Sequence, residues 1–487
     1  MTGPRHWWLP SISACLWIAF FLALNLSPQR VTMISADGDP CWHWRQGQWM
    51  IQHRALLRAD QFSHTRAGAP LVEMWWLCEL LFAGAGKLFG WGGIVLVSAA
   101  LAATTVWLLH RQLLAEGTDM LLATALTLLA AAVCATHWLA RPHLATLLLF
   151  TVFAWQLRCF RQGRVPGQRL LWLLPALMVV WVNSHGAFVA GLMLVALYLA
   201  GSVLERNWGN ARTLALLSGA CLLASLVNPN GWTLHAHIIE HLRDPLLARF
   251  AQEYVSPNFH SPATWPFLSM VLLSLLLFVV ARPRLPATDL VLWLAWFALS
   301  LRMVRNTPLF ALVVTPMLAE HGSELIRRGW PGFARRVSVL DTPAAGAVCV
   351  GLAVAAVLGV VAKPMLGTHI PSDKYPVAAV EFVRRNAAAL PGQMFNDMNW
   401  GGYLMLALPE RKIFIHANLD LYGAAMVREY NAVDELQPEW PDVLQKYGVG
   451  WTILPASHPL NRVLERDHSW QLVYTDRVAM IFARHHD

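Results

Sequence analysis

Long apolar runs separated by short turns rich in Arg, Asn, Gly and Pro repeat from Trp7 to about residue 362. A straight bilayer-crossing helix needs about 20 mostly apolar residues. The pattern predicts a first span over Trp7 to Leu26. Others are predicted near 92–109, 119–137, 143–158, 170–183, 187–204, 213–228, 265–281, 289–301, 308–320 and 344–362. Several fall short of a full crossing, so protein must shield their ends. Between the first span and residue 72 the chain is polar. Within that loop, the rings and aliphatics of Trp42 to Ile51 recur at near-helical spacing, which predicts a short helix lying on the membrane surface. The run from Glu73 to Gly90 is apolar but broken by Gly84, Gly86 and Lys87.

After residue 362 the pattern changes. Val377 to Asn386 reads as a helix. Short strand-like runs follow at Ile413–Ile415, Trp451–Leu454, Leu472–Tyr474 and Ala479–Phe482, with helices predicted near Trp440–Tyr447 and Pro459–Arg466. The expectation is a polytopic α-helical membrane protein of about eleven spans, with residues 1–362 as the membrane domain and 27–72 as its first outer loop. Residues 363–487 would form a small extracytoplasmic α/β domain of ordinary size.

Composition supports this division. Of 487 residues, 56% are hydrophobic and 14% charged, and mean hydropathy is +0.44. Soluble domains carry about 25% charged residues, so a large soluble core is excluded. The +8 net charge reads as loop charge set by orientation rather than as a nucleic-acid surface. The run from Trp7 is long enough to span and lacks a small-residue cleavage site, so no cleavable signal is expected. The seven cysteines show no disulfide pattern.

Arginine placement gives an orientation. If 73–90 dips into the membrane without crossing it, the arginines at 111, 158–169, 206–212, 282–284 and 327–336 all share the side of Arg5. That side is cytoplasmic by the positive-inside rule. The C-terminal domain is then periplasmic, and the inner membrane is the expected location. The polar turns around Arg141 and His143, Asn183 to Gly186, Asn228 to Trp232, and Arg302 to Pro308 share the outer face with Asp37 and Asp39. Ionisable groups at membrane depth are costly and usually face a cavity or pathway.

Asp37 and Asp39 flank Gly38 just past the first span. Alone, the pair reads as an Asp-Gly turn capping the next helix; the shared outer face is what gives it a chemical reading. Asp60, before Phe62-Ser63-His64-Thr65, reads first as a turn or capping residue. Arg305 reads equally well as a snorkelling interfacial arginine. The H-x-x-E-H pattern over His237 to His241 would place two histidines on one helical face, with Glu253 as a distant third zinc ligand. An interfacial amphipathic helix is the stronger reading there. No P-loop, dinucleotide glycine motif, serine elbow or CxxC pair is present.

An ordered set of motifs runs through nearly the whole chain: Asp37-Gly38-Asp39 with Trp42-His43 and Gly47; Asp60 to Thr65 with Gly68; Trp76-Leu77 with Glu79; Arg141-Pro142; Asn183 to Gly186; Asn228 to Trp232; Arg305-Asn306 with Pro308; and Phe395-Asn396-Asp397 with Trp400 to Leu404. In these the chain resembles the GT-C superfamily of integral-membrane glycosyltransferases, and within it a bacterial branch with an outer-face C-terminal domain. The resemblance implies a polyprenyl-phosphate-linked sugar donor, a lipid or glycan acceptor, and inverting transfer on the outer face of the bilayer. It implies no nucleic-acid partner. An acid of the first outer loop serves such enzymes as base or metal ligand. That role would fall on Asp37 or Asp39, which would take Mg²⁺ or Mn²⁺ through oxygen ligands if a metal is used. His43, Asp60, His64, Arg141, His143, His185, Arg302 and Arg305 are the candidate substrate-binding residues.

Two departures stand out. Trp75 occupies a position where the branch usually has an acid, with Glu73 two residues earlier. His416-Ala417-Asn418 replaces an Asp-Gly-Arg run before Leu419-Asp420-Leu421-Tyr422. Two rival functions therefore remain open. One is a non-enzymatic transporter or flippase of a lipid-linked glycan, which would carry polar residues through the span centres. The other is a structural or assembly protein with a decayed site.

Overall fold

The computed structural model describes residues 11–36, 38–243, 252–281, 285–329, 347–361 and 369–485. Asp37 lies outside them, and so does the loop that holds Arg282 and Arg284. The chain separates into two compact units. The first comprises Met1–Ser27, Leu96–Ile238 and Ala248–Pro364; the second comprises Pro28–Val95, Ile239–Leu247 and Met365–Asp487.

The first unit is helical. Its principal helices are Ile12–Leu26, Met120–Val133, His143–Arg161, Gly167–Val182, Val189–Leu204, Trp208–Ala224, Trp265–Ala281, Ala287–Arg302, Thr307–Gly329 and Ala347–Val361. Their starts follow from local chemistry. The side chains of Ser11, Asp119 and Asn207 accept the backbone N–H of Ala14, Leu122 and Asn210, so each fills an otherwise unpaired donor of the first turn. Small residues let helices approach closely. A Cβ on Gly201 would run into Thr288, and one on Gly191 into the Trp181 ring.

The expected run at 92–109 is part of a longer helix, Trp76–Ala115, interrupted at Phe89 and Gly90, where Gly90 takes φ +58°. Left-handed backbone is cheap only for glycine. Five helices among the described residues are long and apolar enough to cross a membrane, and four further apolar helices are shorter. Length and composition alone thus do not return eleven crossings.

One end of the first unit holds a buried ion network. Arg158 Nε lies 2.7 Å from Glu116 Oε2, and its Nη2 lies 2.5 Å from Glu320 Oε2. Arg161 Nη1 lies 2.9 Å from Asp289 Oδ1. Side chains from three helices and from the turn after Ala115 are tied here, each charge answered by an opposite one, as burial of charge requires.

The second unit is built on a four-stranded sheet of order β1-β2-β4-β3, with β1 Gln393–Asn396, β2 Val449–Pro455, β3 Trp470–Thr475 and β4 Ala479–Arg484. β1 and β2 run parallel, and the other pairs are antiparallel. Helices Val377–Arg385, Trp440–Lys446 and Pro459–Leu464 lie close to their predicted bounds.

The expected strand at Ile413–Ile415 is not one. All three residues are fully buried, but their backbone bonds to a loop and a side chain. Ile413 N–H donates to Phe62 O (3.0 Å), and Phe414 N–H donates to Asn396 Oδ1 (2.8 Å). Burial made the segment apolar without placing it in a ladder.

The first-loop helix extends over Asp39–His53, but it is not simply a surface helix. Cys41, Trp42, His43, Gln46, Gly47 and Met50 are buried in protein. Its start packs on the helix Met398–Ala407, where a Cβ on Gly38 would meet the Asn399 carbonyl and one on Gly402 the Gly38 carbonyl. Its middle packs on the first turns of Trp76–Ala115, and only glycine at 47 clears the Glu79 carbonyl oxygen.

Candidate functional site

In the first unit, an ionisable cluster forms around the start of His143–Arg161. The buried ion network lies at that helix's other end, about 25 Å away at 1.5 Å per residue, close to the ~30 Å core of a bilayer. Arg141 lies in the turn before the helix. Arg305 belongs to the short turn Val304–Asn306. Glu253, from the turn Gln252–Tyr254, feels the charge of both. Its Oε1 lies 3.5 Å from Arg305 Nη1. The Arg305 guanidinium lies over the Tyr254 ring, 4.5 Å from its centroid, a favourable cation–π placement. Burial alone would raise the Glu253 carboxyl, but Arg305, then Arg141 and His137, overcome it and hold it at about 2. The cluster is partly open to solvent: the Arg305 and Glu253 side chains are 25% and 40% exposed.

Three histidines line the same cluster. His143 Nε2–H donates to His137 O (2.6 Å). The His143 ring lies 5.6 Å from that of His137 and 6.5 Å from that of His185. Trp181 Nε1–H donates to Thr146 Oγ1 (2.8 Å), so the Thr146 hydroxyl has its own hydrogen for His185 Nδ1 (2.9 Å). The Ala187 N–H also points at Nδ1, at 3.3 Å. His185 Nδ1 is therefore an acceptor, and its proton belongs on Nε2. Burial lowers the His137 imidazole to about 4 and His185 to about 3. Both are neutral at physiological pH, so the positive charge here belongs to the two arginines. Arg302, at the end of Ala287–Arg302, is exposed.

In the second unit, Asp39 occupies the first turn of Asp39–His53 and accepts from Trp42 Nε1–H (3.1 Å). A helix N-terminus favours a negative charge. Behind it runs a buried polar chain. His43 Nδ1 lies 2.8 Å from Glu79 Oε1, with side chains 4% and 0% exposed. With its amide nitrogen turned toward the carboxylates, Gln46 reaches Glu79 Oε1 at 3.0 Å and Glu73 Oε2 at 3.1 Å. Burial raises the Glu73 carboxyl to about 7, although the Trp75 and Met74 N–H groups oppose it. Trp75 packs edge-on against Trp42 and His43.

Asp60 is a loop cap. Its carboxylate accepts from Phe62 N–H (3.0 Å), Ser63 N–H (3.1 Å) and Ser63 Oγ–H (2.6 Å). His64 Nε2–H donates to Met394 O (2.9 Å). Of the H-x-x-E-H residues, His241 Nδ1 faces the Asp420 carboxylate, and Glu253 lies against Arg305. Among the described residues, no group of three or more His, Cys, Asp or Glu could hold a metal ion.

Sequence reasoning assigned no site role to Glu79, Gln46 or His137, and it weighed Glu253 only as a distant third ligand in the weaker, zinc reading. An acid within an apolar helix, as at Glu79, is the one signal that singles out such a position.

No family model matches the chain, and no curated relative does. Solved structures do. The archaeal oligosaccharyltransferase AglB from Archaeoglobus fulgidus, in complex with an inhibitory peptide and a dolichol-phosphate, aligns with a TM-score of 0.62 at 12% identity, covering 91% of this chain and 69% of AglB. ArnT from Cupriavidus metallidurans bound to undecaprenyl phosphate aligns with a TM-score of 0.50 at 15% identity, covering 96% of this chain and 98% of ArnT. The chain shares the fold of these two structures, both of the GT-C superfamily. At these identities the likeness concerns architecture. The site must be argued from its own residues.

Proposed function

We propose that this protein is a membrane glycosyltransferase that moves a sugar from a polyprenyl-phosphate-linked donor to an acceptor on the outer face of the bilayer. The observation that carries the reading is the partly exposed cluster in which Arg141 and Arg305 meet Glu253 and the neutral histidines His137 and His185. The planar guanidinium donors suit a phosphate. The dolichol-phosphate and undecaprenyl phosphate in the two GT-C structures support the same class of donor.

The chemistry needs little more. An acceptor hydroxyl attacks the anomeric carbon and loses its proton to a carboxylate, a role we assign to Asp39 or Asp37. The bond from the anomeric carbon to the phosphate oxygen breaks, and its electron pair stays on the phosphate. Arg141 and Arg305 stabilise that charge. His185 Nε2–H is a neutral donor for the same group. Asp60 and His64 act by fixing the first outer loop through the bonds described above. Against the transporter reading, Leu147, Phe150, Phe153 and Trp296 are buried between the two ends of the first unit, and Thr151 bonds its own helix.

The test is Asp39→Asn, alone and with Asp37→Asn, in purified folded protein supplied with polyprenyl-phosphate-linked sugars. Loss of a general base lowers the transfer rate by about 10²–10⁴-fold. Transfer at the wild-type rate by the double variant would remove the assigned role.

A further inference from the structure

We propose that Trp42 is a positioning residue for the general base, and that the C-terminal domain takes part in the reaction through it. The inference rests on the reading above, in which Asp39 takes the proton of the acceptor hydroxyl.

Asp39 and Trp42 stand three residues apart at the start of Asp39–His53, a spacing that makes side chains neighbours on a helix. Trp42 Nε1–H donates to Asp39 Oδ1 (3.1 Å). The terminal torsion of an aspartate is broad, and a donor fixed on one oxygen narrows it. The kind of donor matters. An indole N–H is uncharged and has no lone pair to take a proton. It holds the plane of the carboxylate without competing for the acceptor's proton. A lysine or arginine in its place would favour the ionised form and make the carboxylate a weaker base.

The indole can orient Asp39 because it is itself held. Trp42 is 3% exposed. Its ring lies 3.5 Å from that of His43, whose Nδ1 is set on Glu79 Oε1, and 5.4 Å from that of Trp75. The C-terminal domain adds the rest. The His416 ring lies 5.6 Å from the indole. On the helix Met398–Ala407, a Cβ at Gly402 would stand 3.2 Å from Trp42 Cδ1 and would run into the Gly38 carbonyl. A Cβ at Gly38 would run into the Asn399 carbonyl. Gly38 precedes Asp39 and Trp42 binds it, and both are seated on this one helix of the tail. A shift of the tail helix therefore moves the carboxylate, and a misplacement of about 1 Å at a reacting group can cost about 10²-fold in rate. No proton leaves the indole in this scheme: the acceptor's proton goes to Asp39, and Trp42 acts through Asp39 alone.

The experiment replaces Trp42 in the full-length protein by β-(3-benzothienyl)alanine, which keeps the bicyclic ring and puts sulfur where the N–H was. The donor probes are radiolabelled undecaprenyl-phosphate-linked glucose, mannose and galactose, and the acceptor probe is n-octyl glucoside. The replacement should lower kcat by about tenfold, with the KM for the donor within about twofold of the wild type. In an Asp39→Asn protein the same replacement should change the residual rate by less than about twofold, because the carboxylate it orients is gone. Gly402→Ala, which presses on Gly38 and Trp42, should also lower kcat with the donor KM held. An unchanged kcat on loss of the N–H, or an equal fold loss with and without the Asp39 carboxylate, would overturn the assignment. If the ring replacement does not fold, Gly402→Ala decides: wild-type kcat, or a loss confined to KM, overturns it. Transfer at the wild-type rate by Asp39→Asn refutes the role of Asp39 itself, a result distinct from all of these.

Discussion

Consider replacement of Glu79 by alanine. The carboxylate is fully buried, 2.8 Å from His43 Nδ1, and within reach of the Gln46 amide. Its removal leaves an imidazole and an amide donor in a dry interior without their shared acceptor. Leaving these two buried donors unpaired costs about 1–3 kcal/mol each, or about 2–6 kcal/mol together. For a cooperative unit of roughly 150–250 residues, each kcal/mol moves the midpoint by about 2–4 °C. The expected fall in melting temperature is therefore on the order of 4–24 °C. Glu79→Gln keeps an acceptor oxygen and should cost less, about 1–3 kcal/mol. The decisive comparison is the double variant His43→Ala/Glu79→Ala. It leaves neither member of the pair behind, so its loss should fall short of the two single losses combined by about 1–3 kcal/mol. Thermal unfolding of the purified protein followed by tryptophan fluorescence measures all four forms. Additive losses, or a Glu79→Ala protein melting within a degree of the wild type, would show that the pair is not the buried interaction described here.

Two further outcomes concern the same region. Gly47→Ala places a Cβ against the Glu79 carbonyl oxygen and should cost about 1–3 kcal/mol by overpacking; Gly84→Ala, where a Cβ meets nothing within 4 Å, is the control for helix composition, and equal melting of the two would contradict the close approach. The Glu73 carboxyl, raised from 4.5 to about 7, keeps its proton in the folded state over a range where the unfolded chain has released it. Its stability contribution is thus complete below about pH 4.5 and is lost as pH rises to about 7, a change of about 3 kcal/mol. Glu73→Gln should flatten that slope in denaturant titrations across the window, and an unchanged slope would refute the assignment.

How much of this was legible beforehand depends on the distance over which each residue's role is set. The helices were legible because apolar runs and their caps are local. The helix Asp39–His53 was visible from its ring spacing, but the protein covering its inner face was not. Ile413–Ile415 looked like a strand because burial selects the same residues whether or not a ladder forms. The true first strand, Gln393–Asn396, is four residues long and ends in a polar side chain, so it carries little periodic signal. The helices Met398–Ala407 and Leu419–Asp434 were likewise unannounced: the first carries two adjacent glycines, and the second contains Gly423 at φ +66°.

The candidate site divides in the same way. Arg141, His143, His185 and Arg305 stood out because polar groups between apolar runs are expensive, and the structure brings these four to one end of the first unit. Glu253 could not be assigned from sequence. It lies in a long polar loop where a carboxylate is ordinary, and only the fold brings it to Arg305.

By itself, then, the sequence determined the membrane character, the helical runs, the appended α/β tail and the residue types available for phosphate chemistry, because hydropathy and capping act over a few neighbouring residues. Tertiary structure alone decided which carboxylate faces which cation. It also decided that Glu73, Gln46, Glu79 and His43 form one buried chain and that Asp60 and His64 serve as fastenings. Those outcomes depend on contacts between segments far apart in the chain, where a shift of a few ångströms separates an ion pair from two solvated charges.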